Sequence, residues 1–281
     1  MKIAVFADIH SNLPALEMVL DDLSRWRPDL ILVGGDIINR GPNPYACTKV
    51  VLEEGNKNNW GIIRGNHERF VLDIANAPCP PNGPDYEISM HARWTLQKLE
   101  EFIKPLGALP DKWQFKDKFN NELRLVHASM LGDRKGIFPD DTEEQLKHKI
   151  APAPEVLLCG HTHRPLIRRI DKTLIVNVGA VGVPMDLDPR ASYLQLTQNQ
   201  KQWTAKIIRL NYDREKAIKD FYNTDYLEKS GEFGRLILLE FLESRSLIPG
   251  WYRSYEQPVL QNKLDLKTSI DIYLKGLGIK G

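Results

Sequence analysis

The sequence predicts an α/β fold opened by a parallel sheet, on three observations. Short apolar runs that stop in polar residues alternate with stretches of helical period through the first third of the chain; residues 156–210 turn β-rich; from Asp213 the apolar spacing is helical. A chain of 281 residues can bury a substantial core and still form one main unit. The expectation is therefore an α/β domain over residues 1–210 and a helical extension over residues 211–281, seated on that domain or on a partner chain.

Strand one runs from Lys2 to Ala7. Ser11 or Asn12 caps a helix that places Leu13, Leu16, Val19, Leu20 and Leu23 on one face, tolerates Pro14 in its first turn and ends at Arg27-Pro28. A strand from Leu30 to Val33, a helix from about Pro44 to Glu54 and a strand from Trp60 to Arg64 follow, joined by right-handed crossovers. Ala77 to Asp85 is proline-rich and reads as irregular; a helix from about Glu87 to Phe102, a turn over Pro105 to Asp111 and a strand from Leu123 to Val126 come next. Residues past Gly132 look loop-like. Val156 to Cys159 is a buried strand, and Leu166 to Ile170, Leu174 to Val178, Tyr193 to Leu196 and Trp203 to Leu210 read as a run of antiparallel strands. Two helical stretches follow, marked by Ala217, Ile218 and Phe221 and by Leu238, Phe241 and Leu242; no charge run or low complexity marks the tail as disordered.

Charge excludes some functions. With 38 basic and 37 acidic residues, a net charge of +1 gives no global field to recruit nucleic acid or an anionic membrane. Three cysteines, Cys47, Cys79 and Cys159, form no C-x-x-C pair, which argues against a disulfide framework and a thiolate zinc site. The apolar run at the start is too short for a signal peptide or a spanning helix, so the expected setting is the cytoplasm, without membrane anchoring. The extension leaves room for a homo-oligomer.

The chemistry lies at the strand ends. Asp8 and His10 follow strand one, Asp36 follows Val33-Gly34-Gly35, Asn66 and His67 follow Ile63-Arg64-Gly65, His127 follows Leu125-Val126, and His161 and His163 follow Leu158-Cys159-Gly160. Ligands of an open α/β sheet collect outside the carboxyl ends of its strands, so these separate positions can converge on one pocket. One histidine beside a strand is unremarkable; five at strand ends leave only His91 and His148 as surface or helix residues. A mixed nitrogen and oxygen set suits Mn, Fe or Zn. Asp8, His10, Asp36, Asn66, His127, His161 and His163 are seven candidate ligands, more than one tetrahedral site uses, and suit two ions bridged by a carboxylate.

These blocks, D-x-H, G-D, G-N-H-E, H and G-H-x-H in that order, resemble the signature of the calcineurin-like metallophosphoesterases. The stretches Asp8 to Leu13, Asn177 to Gly182 and Asp188 to Tyr193 are most similar to the bacterial and archaeal phosphodiesterase-like branch, over about residues 1–210. The resemblance implies two mixed β-sheets packed as a sandwich between helices, in four layers α/β/β/α. It implies that Asp8, His10 and His163 hold one ion, Asn66, His127 and His161 a second, and that Asp36 bridges. Two divalent or trivalent ions would then supply hydroxide from a shared water for in-line attack on a phosphate ester, with His67 as general acid.

Arg40 matches the position where protein-phosphatase relatives hold phosphate, and a planar guanidinium can take two oxygens. Those relatives place Asp where this chain has Asn39. An amide can orient the His67 imidazole but not stabilise its cation as a carboxylate does, so good leaving groups are favoured. Ser11 and Ala128 stand where the branch has glycine, and Val183 and Met185 where it has polar residues, which predicts a more apolar pocket rim. Three functions stay open: a phosphoesterase acting on mono- or diesters, a Ser/Thr-protein-phosphatase-like monoesterase acting on a small molecule or phosphoprotein, and a non-catalytic metal-binding scaffold.

Overall fold

The computed structural model describes residues 1–77 and 79–279. In chain order the elements are β1 (Lys2–Phe6), α1 (Leu13–Trp26), β2 (Leu30–Val33), α2 (Pro44–Asn58), β3 (Gly61–Ile62), α3 (Asn66–Asn76), α4 (Pro84–Gln97), α5 (Ile103–Gly107), β4 (Lys112–Lys116) and β5 (Glu122–Val126). Then come α6 (Glu143–Ile150), β6 (Val156–Cys159), β7 (Leu166–Ile170), β8 (Thr173–Asn177), β9 (Ala191–Asn199), β10 (Gln202–Leu210), α7 (Arg214–Asn223), α8 (Tyr226–Lys229), α9 (Gly231–Glu243), α10 (Ile248–Leu260) and α11 (Leu266–Gly276).

Two five-stranded mixed sheets form, ordered β10-β9-β1-β2-β3 and β4-β5-β6-β8-β7. Period-two alternation sorts each strand between two cores. Ile3, Val5 and Leu32 of the first sheet meet Leu125, Leu158 and Val176 of the second in the layer between sheets. Ala4, Phe6 and Val33 face the other way, onto Leu16, Val19 and Val51 of α1 and α2. Val126, Leu157 and Ile175 cover Leu146 and Ile150 of α6. The result is a sandwich of two sheets between helices, four layers α/β/β/α in all.

The expected run of antiparallel strands divides between the sheets. β7 and β8 form an antiparallel hairpin, but β8 lies parallel to β6; β9 and β10 belong to the first sheet, with β9 antiparallel to β1. The chain from Val178 to Arg190 crosses between sheets over the ends of the strands, held where Val181 N–H bonds Ala7 O at 3.0 Å and Gly182 N–H bonds Asp8 O at 2.9 Å. The third strand shrinks to Gly61–Ile62, and the stretch read as a turn starts as α5. Three further elements were not expected. α3 opens on Gly65 rather than a Ser or Thr cap; α6, capped by Thr142 and Gln145, carries only two buried residues; β4 is short and edge-placed. α6, of eight residues, and β4, of five, are too short for their period to stand out, and α3 follows its glycine without a side-chain cap to announce it.

The described residues beyond 210, 211–279, form five helices with their own apolar cluster, centred on Phe221, Phe233, Phe241 and Trp251 and continuous with Ile88 and Trp94 of α4. Val183 and Met185 sit in this cluster. The apolar residues expected at a pocket rim are therefore the seat of the helices. No described helix is long and apolar enough to cross a membrane.

Candidate metal centre

The loops at the strand ends are locked together before any ligand is considered. Beyond β1, Asp8 N–H bonds Gly35 O, His10 N–H bonds Asp36 O and Ser11 N–H bonds Ile37 O, each at 3.0 Å, so the first two loops run side by side. Glu68, the third residue of α3, accepts from Gly65 N–H (2.8 Å), Asp36 N–H (2.8 Å), Ile37 N–H (2.7 Å) and Ile38 N–H (3.2 Å), tying the third loop to the second. Burial and the neighbouring Asp36 push its carboxyl up to about 7. Glu68 had no assigned role in the sequence; its signal was an acidic residue three positions after the glycine that starts a helix.

These loops carry strain. Among the described residues, sixteen non-glycine residues have positive φ, and eight of them are Asp8, His10, Ser11, Asp36, Asn39, Arg40, His161 and His163. Left-handed backbone costs roughly 1–2 kcal/mol per L-residue, and such strain collects where function fixes a geometry. Two glycines allow the close approach: a Cβ on Gly65 would strike the Asp36 carboxylate, and one on Gly160 the Asp8 carboxylate.

The ligand-type side chains meet in two groups that share Asp36. Asp8, His10, Asp36 and His163 form one, and Asp36, His127 and His161 the other, with donor atoms in each group within 4.8 Å of one another. Asn66 joins the second, its Oδ1 lying 2.8 Å from both His127 Nε2 and His161 Nδ1. All seven expected ligands are thus brought together.

The donor set fits cations. His163 Nδ1 donates to Val183 O at 2.6 Å, leaving the Nε2 lone pair facing His10 Nε2 at 3.1 Å and Asp8 Oδ1 at 3.5 Å. His127 Nδ1 donates to Gly34 O at 2.8 Å, so its Nε2 lone pair faces Asn66 Oδ1 and, at 3.3 Å, Asp36 Oδ2. Asp8 Oδ1 is buried without a hydrogen-bond partner among the described residues. Lone pairs converging in a dry site repel one another unless positive charge lies between them. The protonation balance shows the same excess. Burial would raise the Asp36 carboxyl, but the surrounding histidines, His127 foremost, hold it well below the carboxylate range. Burial opposes charge on His127, yet Asp36 raises it to about 10, while burial and His127 push His161 down to about 4.

Beside this cluster, His67 N–H donates to Asp36 Oδ1 at 2.8 Å and the His67 Nδ1 lies 2.8 Å from Asn39 Nδ2. Asn39 Oδ1 is already taken, accepting from Arg40 N–H at 2.9 Å and from Thr95 Oγ1 at 3.5 Å. The amide therefore donates through Nδ2, His67 Nδ1 accepts, and the imidazole proton sits on Nε2. Burial also lowers the basicity of His67. Arg40 Nη1 pairs with Glu240 Oε1 of α9 at 2.7 Å. His91, read as a surface or helix residue, lies on α4 but is buried, stacked on Phe233 with centroids 5.4 Å apart; His148 is exposed on α6.

A cleft of about 640 Å³, lined by Arg64, Arg69, Lys112, Ser129 and Asp133, reaches His127. A larger cavity of about 740 Å³, between α4, α9 and α11, shares no residue with the cluster.

Residues 1–201 match the model of the calcineurin-like phosphoesterase superfamily domain. The chain belongs to that superfamily. As a calcineurin-like phosphoesterase it is a metal-dependent phosphoric ester hydrolase, and the buried Asp/His cluster could hold the metal. It is 28% identical over 251 residues to the uncharacterized protein MJ0912 of Methanocaldococcus jannaschii, covering 82% of this chain and 96% of that one. It is 26% identical over 193 residues to phosphodiesterase YfcE of Escherichia coli, covering 69% and 85%. The structure of a metallophosphoesterase from Sphaerobacter thermophilus superposes with a TM-score of 0.69 at 25% identity, over 87% of this chain and all of that one. The family match stops before α7, so α7 to α11 lie outside it.

Proposed function

We propose that this phosphoesterase holds two transition-metal ions, Mn, Fe or Zn, and hydrolyses phosphate esters by in-line attack of water. The observation that supports this is Asp36, common to both groups of ligand-type side chains, which would be shared between the two ions. Asp8, His10 and His163 complete one site and Asn66, His127 and His161 the other. Ions held there supply a water acidic enough to attack near neutral pH and neutralise charge on the phosphoryl oxygens. The protein's own residues set the rest. The His67 Nε2 proton faces outward from its bond to Asn39 and holds the departing oxygen. Because Asn39 donates to Nδ1, a second proton on the ring would meet another N–H, so His67 acts as a hydrogen-bond donor more than as an acid. Esters with weakly basic leaving groups are the substrates this suits. Arg40 takes a non-bridging phosphate oxygen, and the organic group lies in the cleft beside His127.

Arg40 favours monoesters, whose dianion needs more positive charge, while the name of YfcE points to diesters. Turnover of p-nitrophenyl phosphate and its bis ester under Mn, in the wild type and in Arg40→Ala, separates them. A larger loss on the monoester is expected; equal loss on both would remove Arg40 as a monoester anchor. His67→Gln is expected to slow turnover and keep both ions by elemental analysis; loss of metal would refute its role.

A further inference from the structure

We propose that Glu240 is a positioning residue for Arg40, and that through it the helical extension forms part of the active site. The proposal rests on the reading that Arg40 contacts phosphate.

Glu240 lies on α9, 200 residues along the chain from Arg40, and is 1% exposed. Both its oxygens are occupied. Oε1 accepts from Arg40 Nη1 at 2.7 Å; Oε2 accepts from Leu247 N–H at 2.7 Å and Ile248 N–H at 2.8 Å, at the first turn of the 13-residue helix α10. Two main-chain amides therefore fix the carboxylate, and the carboxylate fixes one edge of the guanidinium. The rest of Arg40 is held as well: its backbone is left-handed at φ +59° and its N–H is bonded to Asn39 Oδ1, the same amide that orients His67.

The other edge is free. Nε and Nη2 of Arg40 make no hydrogen bond among the described residues, and the side chain keeps 13% of its surface open. Behind it, Ala217, Phe221, Phe241 and Val183 close on Arg40 and His10 around a void of about 10 Å³, room for no more than one water. Arg40 cannot fold back into the extension. A fork with one edge clamped and one edge free is suited to take phosphate oxygens without losing side-chain freedom on binding. Stability alone does not account for the pair, because an apolar pair of similar volume is often as stable as a buried ion pair. The opposite arrangement, in which Glu240 masks Arg40 from substrate, predicts the reverse sign of effect.

The test compares Glu240→Gln, Arg40→Met, the double variant and Arg40→Lys in the full chain loaded with Mn, with p-nitrophenyl phosphate as substrate. Metal content and Tm are measured on each. Glu240→Gln is expected to raise KM tenfold or more with kcat changed less and both ions retained. The double variant should match Arg40→Met within about twofold, since each change removes the same contact. Arg40→Lys keeps charge opposite Glu240, and so guards against misfolding of Glu240→Gln, but it loses the second edge and should also raise KM. An unchanged or lowered KM in Glu240→Gln, a multiplicative loss in the double variant, or a wild-type KM in Arg40→Lys would overturn the proposal. A wild type without activity under Mn would instead remove the function on which it rests.

Discussion

The rim of loops around Asp36 and the cluster of helices around Trp251 are held together by opposite means. The rim is polar, dry and strained: eight left-handed residues and converging lone pairs are kept in place by interlocking backbone bonds and by Glu68. The helical cluster is apolar and built by burial, with Phe221, Phe233, Phe241 and Trp251 almost fully enclosed. The first region spends stability to hold a geometry and the second supplies stability, and Arg40–Glu240 is one place where they touch through charge. The contrast teaches that substitutions in the rim should strike activity with modest effect on folding, and those in the cluster the reverse.

The largest expected effect breaks the rim. Asp36→Asn removes the shared carboxylate and should lower kcat at least about a thousandfold, since the metal centre supplies several kcal/mol of transition-state stabilisation. Elemental analysis should show loss of bound metal, while circular dichroism stays folded; full activity would contradict the sharing of Asp36. Next comes the cluster. Trp251→Ala deletes a fully buried ring and the indole bond to Ser269 Oγ at 3.0 Å, and should cost about 3–5 kcal/mol in chemical denaturation. Well below its midpoint the variant should still bind metal as the wild type does; metal loss there would mean the regions are not separable.

A third test sharpens the seam between them. His91 stacks on Phe233 of α9 and is 6.0 Å from Phe70 of α3, and burial, with Arg40 adding to it, pushes it down to about 3. A histidine depressed in the fold binds more protons when unfolded, so the stability it contributes is present above its ordinary value of 6.5 and is lost as pH falls from there toward 3. Tm of His91→Gln should fall less steeply than wild type over that interval, the difference cancelling metal loss common to both; parallel curves would exclude His91. The smallest effect concerns the leaving group. Asn39→Asp gives the His67 cation a partner and should raise turnover of an alkyl phosphate by about tenfold, one pKa unit's worth, and leave p-nitrophenyl phosphate nearly unchanged. Equal gains on both would show that Asn39 does not set leaving-group choice.

The two regions also differed in how far the sequence revealed them. The clustering of the strand-end loops was legible because coordination chemistry restricts residue type: the candidate ligands Asp8, His10, Asp36, Asn66, His127, His161 and His163 stand at strand ends, and the structure gathers them. The roles of Glu68 and Thr95, which hold those loops, were not: Glu68 stands inside the G-N-H-E block, but nothing local shows that its carboxylate ties Asp36, Ile37 and Ile38, and Thr95 bonds an amide that many residue types could reach. The helices of the extension were visible in outline from Phe221, Leu238 and Phe241. Their contact with Arg40 was not, since pairing across 200 residues has no local trace. Val183 and Met185 looked like a rim for substrate and prove to be a seat for helices; hydropathy says that a residue is covered, not by what.

The central claim is a centre of two ions sharing Asp36, and metal titration of the chelator-stripped protein tests it most directly. Activity on p-nitrophenyl phosphate, followed with bound Mn per chain, should be absent at zero, rise with added metal and reach its plateau at two ions per chain, and Asp36→Asn should never reach it. Full activity at one ion per chain, or activity that survives removal of all metal, would contradict the account.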